Sequence, residues 1–226
     1  MDKLIEGLER FASGRFSQQK ELYQTLVEEG QSPHTLFVTC SDSRVSPTVM
    51  TDADPGDLFV LRNAGNIIPP FGAGAESIES TVEYAMVALE VPNVVIAGHS
   101  HCGAITGLMQ SEKVDALPST KQWLRHAERT RRVLDAHCSH LEGDDRIDVA
   151  IQENVLSQIE NLQTHPSVAS RLATGDVSIH GWVIELEAGL VHAYDPEAER
   201  FRAVEGDGEL PIASTGRARP SQPLGD

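Results

Sequence analysis

Three short apolar runs divide the first hundred residues. They are TLFVT at Thr35–Thr39, LFVLR at Leu58–Arg62 and VVIAG at Val94–Gly98, and each is typical of a buried strand. Glu76–Glu90, between the second and third runs, has helical periodicity. A strand, a helix and a strand in this order predict a parallel pairing of the two strands with a right-handed crossover.

Helical periodicity returns at Ser119–His137 and Asp144–Gln163. Ser178–Glu185 and Leu190–Tyr194, joined by Ala-Gly, then predict two antiparallel strands with a tight turn. The chain is therefore expected to be α/β: a mixed, mostly parallel β-sheet flanked by helices.

The two ends of the chain differ from the middle. Residues 1–30 predict helices that form an N-terminal helical arm, with Leu4, Leu8 and Phe11 on one face and too little core of their own. The segment 206–226 is rich in Gly, Pro, Ser and Arg, and we expect it to be a disordered tail. Residues 1–205 are expected to form a single domain.

Composition narrows the function class. The 226 residues include 18 Lys and Arg against 34 Asp and Glu, so the net charge is −16, which argues against a nucleic-acid partner. Three cysteines do not make a disulfide framework. The start MDKLIEGLERF does not resemble a signal peptide and no apolar run is long enough to span a membrane, so we expect a cytoplasmic protein without a membrane partner.

Potential metal ligands follow two of the predicted strands. Cys40 comes directly after the first run, and His99 and Cys102 follow the third. If these strands are neighbours, the three side chains converge at the carboxyl edge of the sheet. One His and two Cys fill three of the four positions of tetrahedral Zn²⁺ and leave one for water, which is typical of a catalytic site. The alternative is two small buried thiols and a loop histidine with a structural role.

Asp42 and Arg44 lie beside the proposed ligands in sequence. Asp42 is close enough to Cys40 to reach the metal or its bound water, and Arg44 would keep that carboxylate ionised. Two alternatives stay open: an ordinary structural ion pair, and an Asp42 that occupies the fourth zinc position and closes the site.

Other cysteine and histidine residues are weaker candidates. The cluster His137-Cys138-Ser139-His140 follows a helix, and no strand end supplies a fourth ligand. His101 should point away from its liganding neighbours. A structural role is expected for the remaining candidates, which are His126, His165, His180 and His192.

The string Cys40-Ser41-Asp42-Ser43-Arg44 followed by His99-Ser100-His101-Cys102 resembles the β-class carbonic anhydrases, in their bacterial and plant-like branch. The resemblance covers about residues 1–205 and includes four further strings, PGDLF at 55–59, RNAGN at 62–66, EYA at 83–85 and HGWV at 180–183.

This resemblance implies reversible hydration of CO2 to bicarbonate and a proton, by attack of a zinc-bound hydroxide in an apolar pocket. It assigns one Zn²⁺ per chain to Cys40, His99 and Cys102, and an orienting role to Asp42 with Arg44. It also implies an obligate homodimer that often pairs again, with the pocket at the dimer interface and the 1–30 arm wrapped around the partner. The pocket residues it implies are Gln31, Phe59, Ala64, Tyr84 and Gly103.

Three competing functions remain at this point. Relatives that hydrolyse carbon disulfide share the ligands, a zinc closed by Asp42 would be structural, and the tail could recruit the chain to a CO2-fixing compartment. One subclass of the family is inhibited by bicarbonate at a Trp-Arg-Tyr triad, where this chain has Phe37, Arg62 and Ile184. We therefore expect no cooperative inhibition, and an Arg62 that pairs with a carboxylate near the dimer interface.

Overall fold

A computed structural model of the protein describes residues 1–204 and 210–213. Six strands form one sheet in the order β2-β1-β3-β4-β5-β6. Their bounds are Thr35–Cys40 (β1), Leu58–Asn63 (β2), Asn93–His99 (β3), Ser178–Glu185 (β4), Leu190–Asp195 (β5) and Arg200–Ala203 (β6).

The sheet is mixed and mostly parallel, as expected. β1 pairs in parallel with β2 and β3, and β3 pairs in parallel with β4, whereas β5 and β6 add antiparallel. The predicted direct pairing of β2 with β3 is wrong, because β1 lies between them. After β1 the chain forms β2 on one side of that strand, and it then crosses over to form β3 on the other side. Ligand sites of open α/β sheets form where the strand order reverses in this way.

Ten α-helices occur in the described residues, together with π-helical turns at Phe11–Arg15 and Tyr84–Ala88 and 3₁₀ turns at Ser111–Val114 and Arg125–Ala127. They are Asp2–Arg10 (α1), Phe16–Gln18 (α2), Lys20–Glu29 (α3), Pro47–Met50 (α4), Glu76–Glu83 (α5), Gly103–Met109 (α6), Pro118–Leu124 (α7), Glu128–His137 (α8), Gly143–Gln163 (α9) and Pro166–Thr174 (α10).

Two predicted helices differ in detail from the structure, and one observed helix was not predicted. The single helix expected over Ser119–His137 is two helices, α7 and α8, separated by the 3₁₀ turn. The helix expected over Glu76–Glu90 ends in a π-helical turn. Pattern reasoning missed α10, which begins with Pro166, a residue whose fixed φ suits the first turn of a helix.

The main core lies between the sheet and α9, which crosses β3 and β4. Two strand glycines allow the helix to come this close. A Cβ at Gly98 would lie 2.9 Å from the Val155 side chain, and one at Gly181 would lie 2.9 Å from Ile159. A larger residue at either position would therefore force the α9 side chains, or the helix itself, to shift.

The N-terminal arm is helical, as expected, and is attached to little of the core. None of the residues of α1 is buried, and Leu4 and Leu8 are 65% and 67% exposed. Phe11, Phe16 and Tyr23 contact one another within the arm, with ring centroids 5.3–6.0 Å apart. The apolar face of α1 is thus left without a covering element in the described chain.

The expected tail is described only at residues 210–213. There the Ala213 N–H donates to the Ile179 carbonyl at 2.8 Å, and the His180 ring bonds the Pro211 carbonyl at 2.9 Å, so these four residues follow β4. The other residues of the expected tail, 206–209 and 214–226, lie outside the described part of the chain, so the predicted disorder is not tested there. None of the helices described is long and apolar enough to cross a bilayer.

Candidate metal centre

Cys40, His99 and Cys102 meet at the carboxyl edge of the sheet. Cys40 ends β1, His99 ends the neighbouring strand β3, and Cys102 immediately precedes α6. The two sulfur atoms are 3.9 Å apart, and all three potential ligand atoms lie within 4.8 Å of one another. All three residues are buried. The sheet order thus brings together residues that are far apart in sequence, as the strand-end argument predicts.

The His99 ring is oriented for a ligand at Nε2. Its Nδ1 donates to the Ser100 carbonyl at 2.8 Å, which leaves the Nε2 lone pair for another partner. Nε2 is fully buried and has no hydrogen-bond partner in the described chain. Buried polar atoms are nearly always satisfied. An imidazole fixed through one nitrogen with the other unpartnered beside two thiols is the arrangement that metal-binding histidines adopt.

The two buried thiols shift each other's pKa in opposite directions through their hydrogen bond. A hydrogen bond from Cys102 lowers the pKa of Cys40 to about 4, against the opposing effect of burial, and the Gly65 N–H, 3.4 Å from Cys40 Sγ, adds to this. The same hydrogen bond, together with burial, raises the pKa of Cys102. A second thiolate here requires a nearby cation. The donor set therefore suits Zn²⁺, which prefers thiolate and imidazole ligands.

Asp42 and Arg44 form the ion pair expected from the sequence. Arg44 Nε donates to Oδ1 at 2.9 Å and Nη2 donates to Oδ2 at 2.7 Å, while the Arg44 backbone N–H also bonds Oδ1 at 3.0 Å. These hydrogen bonds hold the pKa of Asp42 well below its usual range. Oδ2 lies 3.9 Å from His99 Nε2, so an ionised carboxylate borders the potential ligand cluster.

Arg62 has a role that differs from the expectation. It donates not to a carboxylate but to three backbone carbonyls, those of Cys40 at 3.0 Å, Asp42 at 2.8 Å and Val45 at 2.9 Å. The guanidinium therefore fixes the loop that carries the Asp42–Arg44 pair. Sequence reasoning missed this because backbone acceptors leave no residue-type signal.

The five expected pocket residues fall into two groups. Ala64 directly precedes Gly65, and Gly103 directly follows Cys102, so both adjoin the cluster. Phe59 and Tyr84 contact each other, with ring centroids 5.9 Å apart, at the other end of β2. Phe59 is paired with Leu36 and Asn63 with Cys40, which places Phe59 about 13 Å from the cluster along the strand.

Gln31 also lies away from the cluster in this chain. It is exposed and precedes β1 at the amino end, opposite the end that carries Cys40. Gln31, Phe59 and Tyr84 are therefore not brought to the metal ligands of their own chain, and their role in a pocket stays a prediction.

The remaining histidines and the cluster His137-Cys138-Ser139-His140 do not contribute to this site. Cys138 is buried whereas His137 and His140 are exposed, so their side chains do not converge. Cys40, His99 and Cys102 are the one group able to hold a metal that occurs within residues 1–204 and 210–213. His101 pairs with Glu187. The four histidines expected to be structural contact a ring, a carbonyl or a carboxylate: His126 with Trp123, His165 with Pro69, His180 with Pro211 and His192 with Glu185.

Comparison with known proteins agrees with this geometry. The family model described as carbonic anhydrase matches residues 35–191. A carbonic anhydrase of Synechocystis sp. is 50% identical over 204 residues, which cover 90% of this chain and 74% of the relative. The solved structure of the β-carbonic anhydrase CcaA has a TM-score of 0.88 and 48% identity, covering 92% of this chain and 93% of that one.

The third match is a solved chain from a study of two tetrameric β-carbonic anhydrases of the fungus Sordaria macrospora. Its TM-score is 0.75 and its sequence identity is 25%, and the match covers 85% of this chain and 95% of the solved chain. The matched region contains the whole ligand cluster and the Asp42–Arg44 pair. With the sheet, the cluster and the matches in agreement, the chain belongs to the β-class carbonic anhydrase family.

Proposed function

We propose that this enzyme binds one Zn²⁺ through Cys40 Sγ, His99 Nε2 and Cys102 Sγ and hydrates CO2 reversibly at that site. The observation that carries the proposal is the buried, unpartnered Nε2 of His99 beside two thiols 3.9 Å apart. When bound, zinc supplies an acidified water molecule as the nucleophile for CO2. Everything else in the mechanism depends on how the chain orients that nucleophile and admits the substrate.

Asp42 orients the nucleophile by accepting its hydrogen bond. Because Arg44 keeps the carboxylate ionised, Asp42 acts as an acceptor and directs the remaining lone pair of the nucleophile toward CO2. Both Asp42 oxygens are also engaged by Arg44, which favours an open fourth zinc position over one closed by the carboxylate. The Arg62 bonds to the same loop oppose its movement toward the metal.

Gln31, Phe59 and Tyr84 belong, in this proposal, to the pocket of a second copy of the chain. Two considerations support an interface: the distance along β2 between Phe59 and the chain's own ligands, and the half-exposed ring of Tyr84. The exposed apolar face of the arm favours an exchange of arms between the two copies. The active form would be a homodimer, or a dimer of dimers like the tetrameric relatives.

The central experiment measures CO2 hydration and bound zinc on the same purified sample. We expect about one zinc per chain, with activity proportional to zinc content when the metal is removed and restored. Full activity in zinc-free protein, or a zinc-loaded protein without hydration activity, would contradict the proposal.

Complementation between two inactive variants tests the shared pocket. Cys40→Ser lacks a metal site, whereas the double variant Phe59→Ala, Tyr84→Ala lacks the aromatic pair. A heterodimer of the two contains one intact site if ligands and aromatic rings come from different chains. We therefore expect co-expression to restore activity. A matched mixture of Cys40→Ser with His99→Ala should not, because both chains then lack a ligand.

A further inference from the structure

The loop after β2 is held by amide side chains from the buried face of α9. Asn154, Gln158 and Asn161 are 1%, 0% and 8% exposed, and they follow one another at the spacing of a single helix face. A helix face packed on a sheet is usually apolar, and buried amides are unfavourable unless they are hydrogen-bonded. These three must therefore be explained by their partners.

The first amide reaches the residue that hydrogen-bonds the Cys40 sulfur. Asn154 Nδ2 donates to the Gly65 carbonyl at 3.0 Å, while the Gly65 N–H donates to Cys40 Sγ at 3.4 Å. Gly65 has φ +84°, and a Cβ there would lie 3.1 Å from the Ala104 Cβ. Both polar groups of Gly65 are thus engaged in a backbone conformation that only glycine adopts readily.

The second amide orients the first, and the third holds the loop farther along. Gln158 Nε2 donates to Asn154 Oδ1 at 2.9 Å, so the amide nitrogen of Asn154 faces Gly65. Gln158 Oε1 accepts from the Ile68 N–H at 2.9 Å, and Asn161 Nδ2 donates to the Ile68 carbonyl at 2.9 Å. Asn154 donates to Gly65, whereas Asn161 bonds Ile68, three residues farther along the loop, and also donates to Gln158 Oε1 at 3.2 Å.

We infer that Asn154 is a positioning residue for the metal centre: it fixes Gly65 so that the Gly65 N–H hydrogen-bonds the Cys40 thiolate. A hydrogen bond to a ligating sulfur withdraws electron density from it and so limits its donation to the metal. This role rests on the proposed zinc site. It adds to that site a residue outside the ligand set and outside the Asp42–Arg44 pair.

The test uses Co²⁺ in place of zinc, because thiolate-to-Co²⁺ charge-transfer bands report on the sulfur directly. Asn154→Asp keeps the size and the acceptor for Gln158 but loses the donor to Gly65, and Asn154→Leu removes both without adding charge. We expect both variants to shift the charge-transfer band to lower energy, because the Cys40 sulfur loses its hydrogen bond. We also expect the zinc dissociation constant to rise by about tenfold, because Gly65, and with it the Cys40 side chain, is no longer held in place. Either variant suffices if the other fails to fold.

Asn161→Leu is the matched control, since it removes a buried amide of the same helix face but leaves the Gln158 bonds to Asn154 and to the Ile68 N–H, and the Asn154 bond to Gly65, in place. It should lower the melting temperature to a similar extent and leave the band and the zinc affinity unchanged. An unshifted band with unchanged zinc affinity in the Asn154 variants, or an equal shift in Asn161→Leu, would overturn this role alone. A parent protein without thiolate-to-Co²⁺ bands would overturn the metal site and this inference together.

Discussion

Asp42 Oδ2 lies 3.9 Å from His99 Nε2 while remaining bonded to the Arg44 guanidinium at 2.7 Å. The carboxylate is thus beside the ligand cluster but is held by a partner on its other side. In the proposed mechanism the cluster holds the metal, and the Asp42–Arg44 pair orients the group that binds next to it.

Replacing Asp42 by Asn should leave zinc binding intact and slow CO2 hydration roughly 10–100-fold. The amide preserves size, but its nitrogen cannot accept the hydrogen bond of the nucleophile. Stopped-flow hydration rates and zinc content of the same preparation check this. Asp115→Asn, which alters an exposed carboxylate paired with Lys121, is the control and should change neither. Full activity in Asp42→Asn would remove the pair from the mechanism.

The same pair should also affect stability in a pH-dependent way. The pKa of Asp42 is lower in the folded chain than its ordinary value of about 3.9, so its stabilising contribution is present above that value and is lost as the pH falls toward the folded pKa. The metal-free Asp42→Asn variant should therefore melt slightly below the parent at pH 7, and the difference should shrink progressively as the pH falls below about 4. A gap that widens in acid would contradict the assigned direction.

Cys40→Ser should lose both zinc and activity, because a hydroxyl is a far poorer zinc ligand than a thiolate. Cys138→Ser is the matched control, since Cys138 is equally buried but lies at the end of α8. It should retain both properties. Metal analysis that finds zinc kept in Cys40→Ser and lost in Cys138→Ser would show the ligand assignment to be wrong.

Activity should rise with pH across the neutral range. Asp42 is ionised throughout that range, so the rise has to come from deprotonation of the nucleophile that the metal activates. Two thiolates cancel the charge of Zn²⁺, which places the inflection above the value of about 7 known for a site with three neutral histidines. A kcat/KM profile that is flat from about pH 6 to 9 would contradict this mechanism.

Bicarbonate should not inhibit the enzyme cooperatively. Phe37 lacks an indole N–H and Ile184 lacks a hydroxyl, and Nε and Nη2 of Arg62 donate to carbonyls of the Asp42 loop. An anion that bound through either of these nitrogens would have to displace those hydrogen bonds. Initial hydration rates at constant ionic strength, corrected for the reverse reaction, should fall hyperbolically with added bicarbonate. A sigmoidal loss of activity would refute the prediction.

Much of the sheet could be predicted because its strands are short apolar runs that end in polar or glycine-containing segments. The same patterns placed Cys40 and His99 at strand ends. The position of β1 between β2 and β3 could not be predicted, since periodicity identifies strands but not their order in the sheet. Adjacency of β1 and β3 was a condition of the metal hypothesis and was confirmed.

Sequence patterns were least informative where backbone groups are the partners. Arg62 was expected to pair with a carboxylate, but it donates to backbone carbonyls. The sequence of α9 predicts a helix, but it does not indicate which loop the buried amides of that helix hold. Phe59 and Tyr84 could be matched to pocket positions of the family, but their distance from the ligands of their own chain became visible only in the structure. Such relationships depend on three-dimensional proximity, which residue types do not encode locally.

The placement of the ligands also has a thermodynamic consequence. Cys40 and Cys102 are 62 residues apart in the chain, and His99 belongs to a different strand from Cys40. A metal held by all three therefore cross-links the central strands and favours the folded chain by mass action, because the unfolded chain lacks a preformed site. Resistance to heat should then follow the concentration of free zinc, and chelation should loosen the middle of the sheet before its edges.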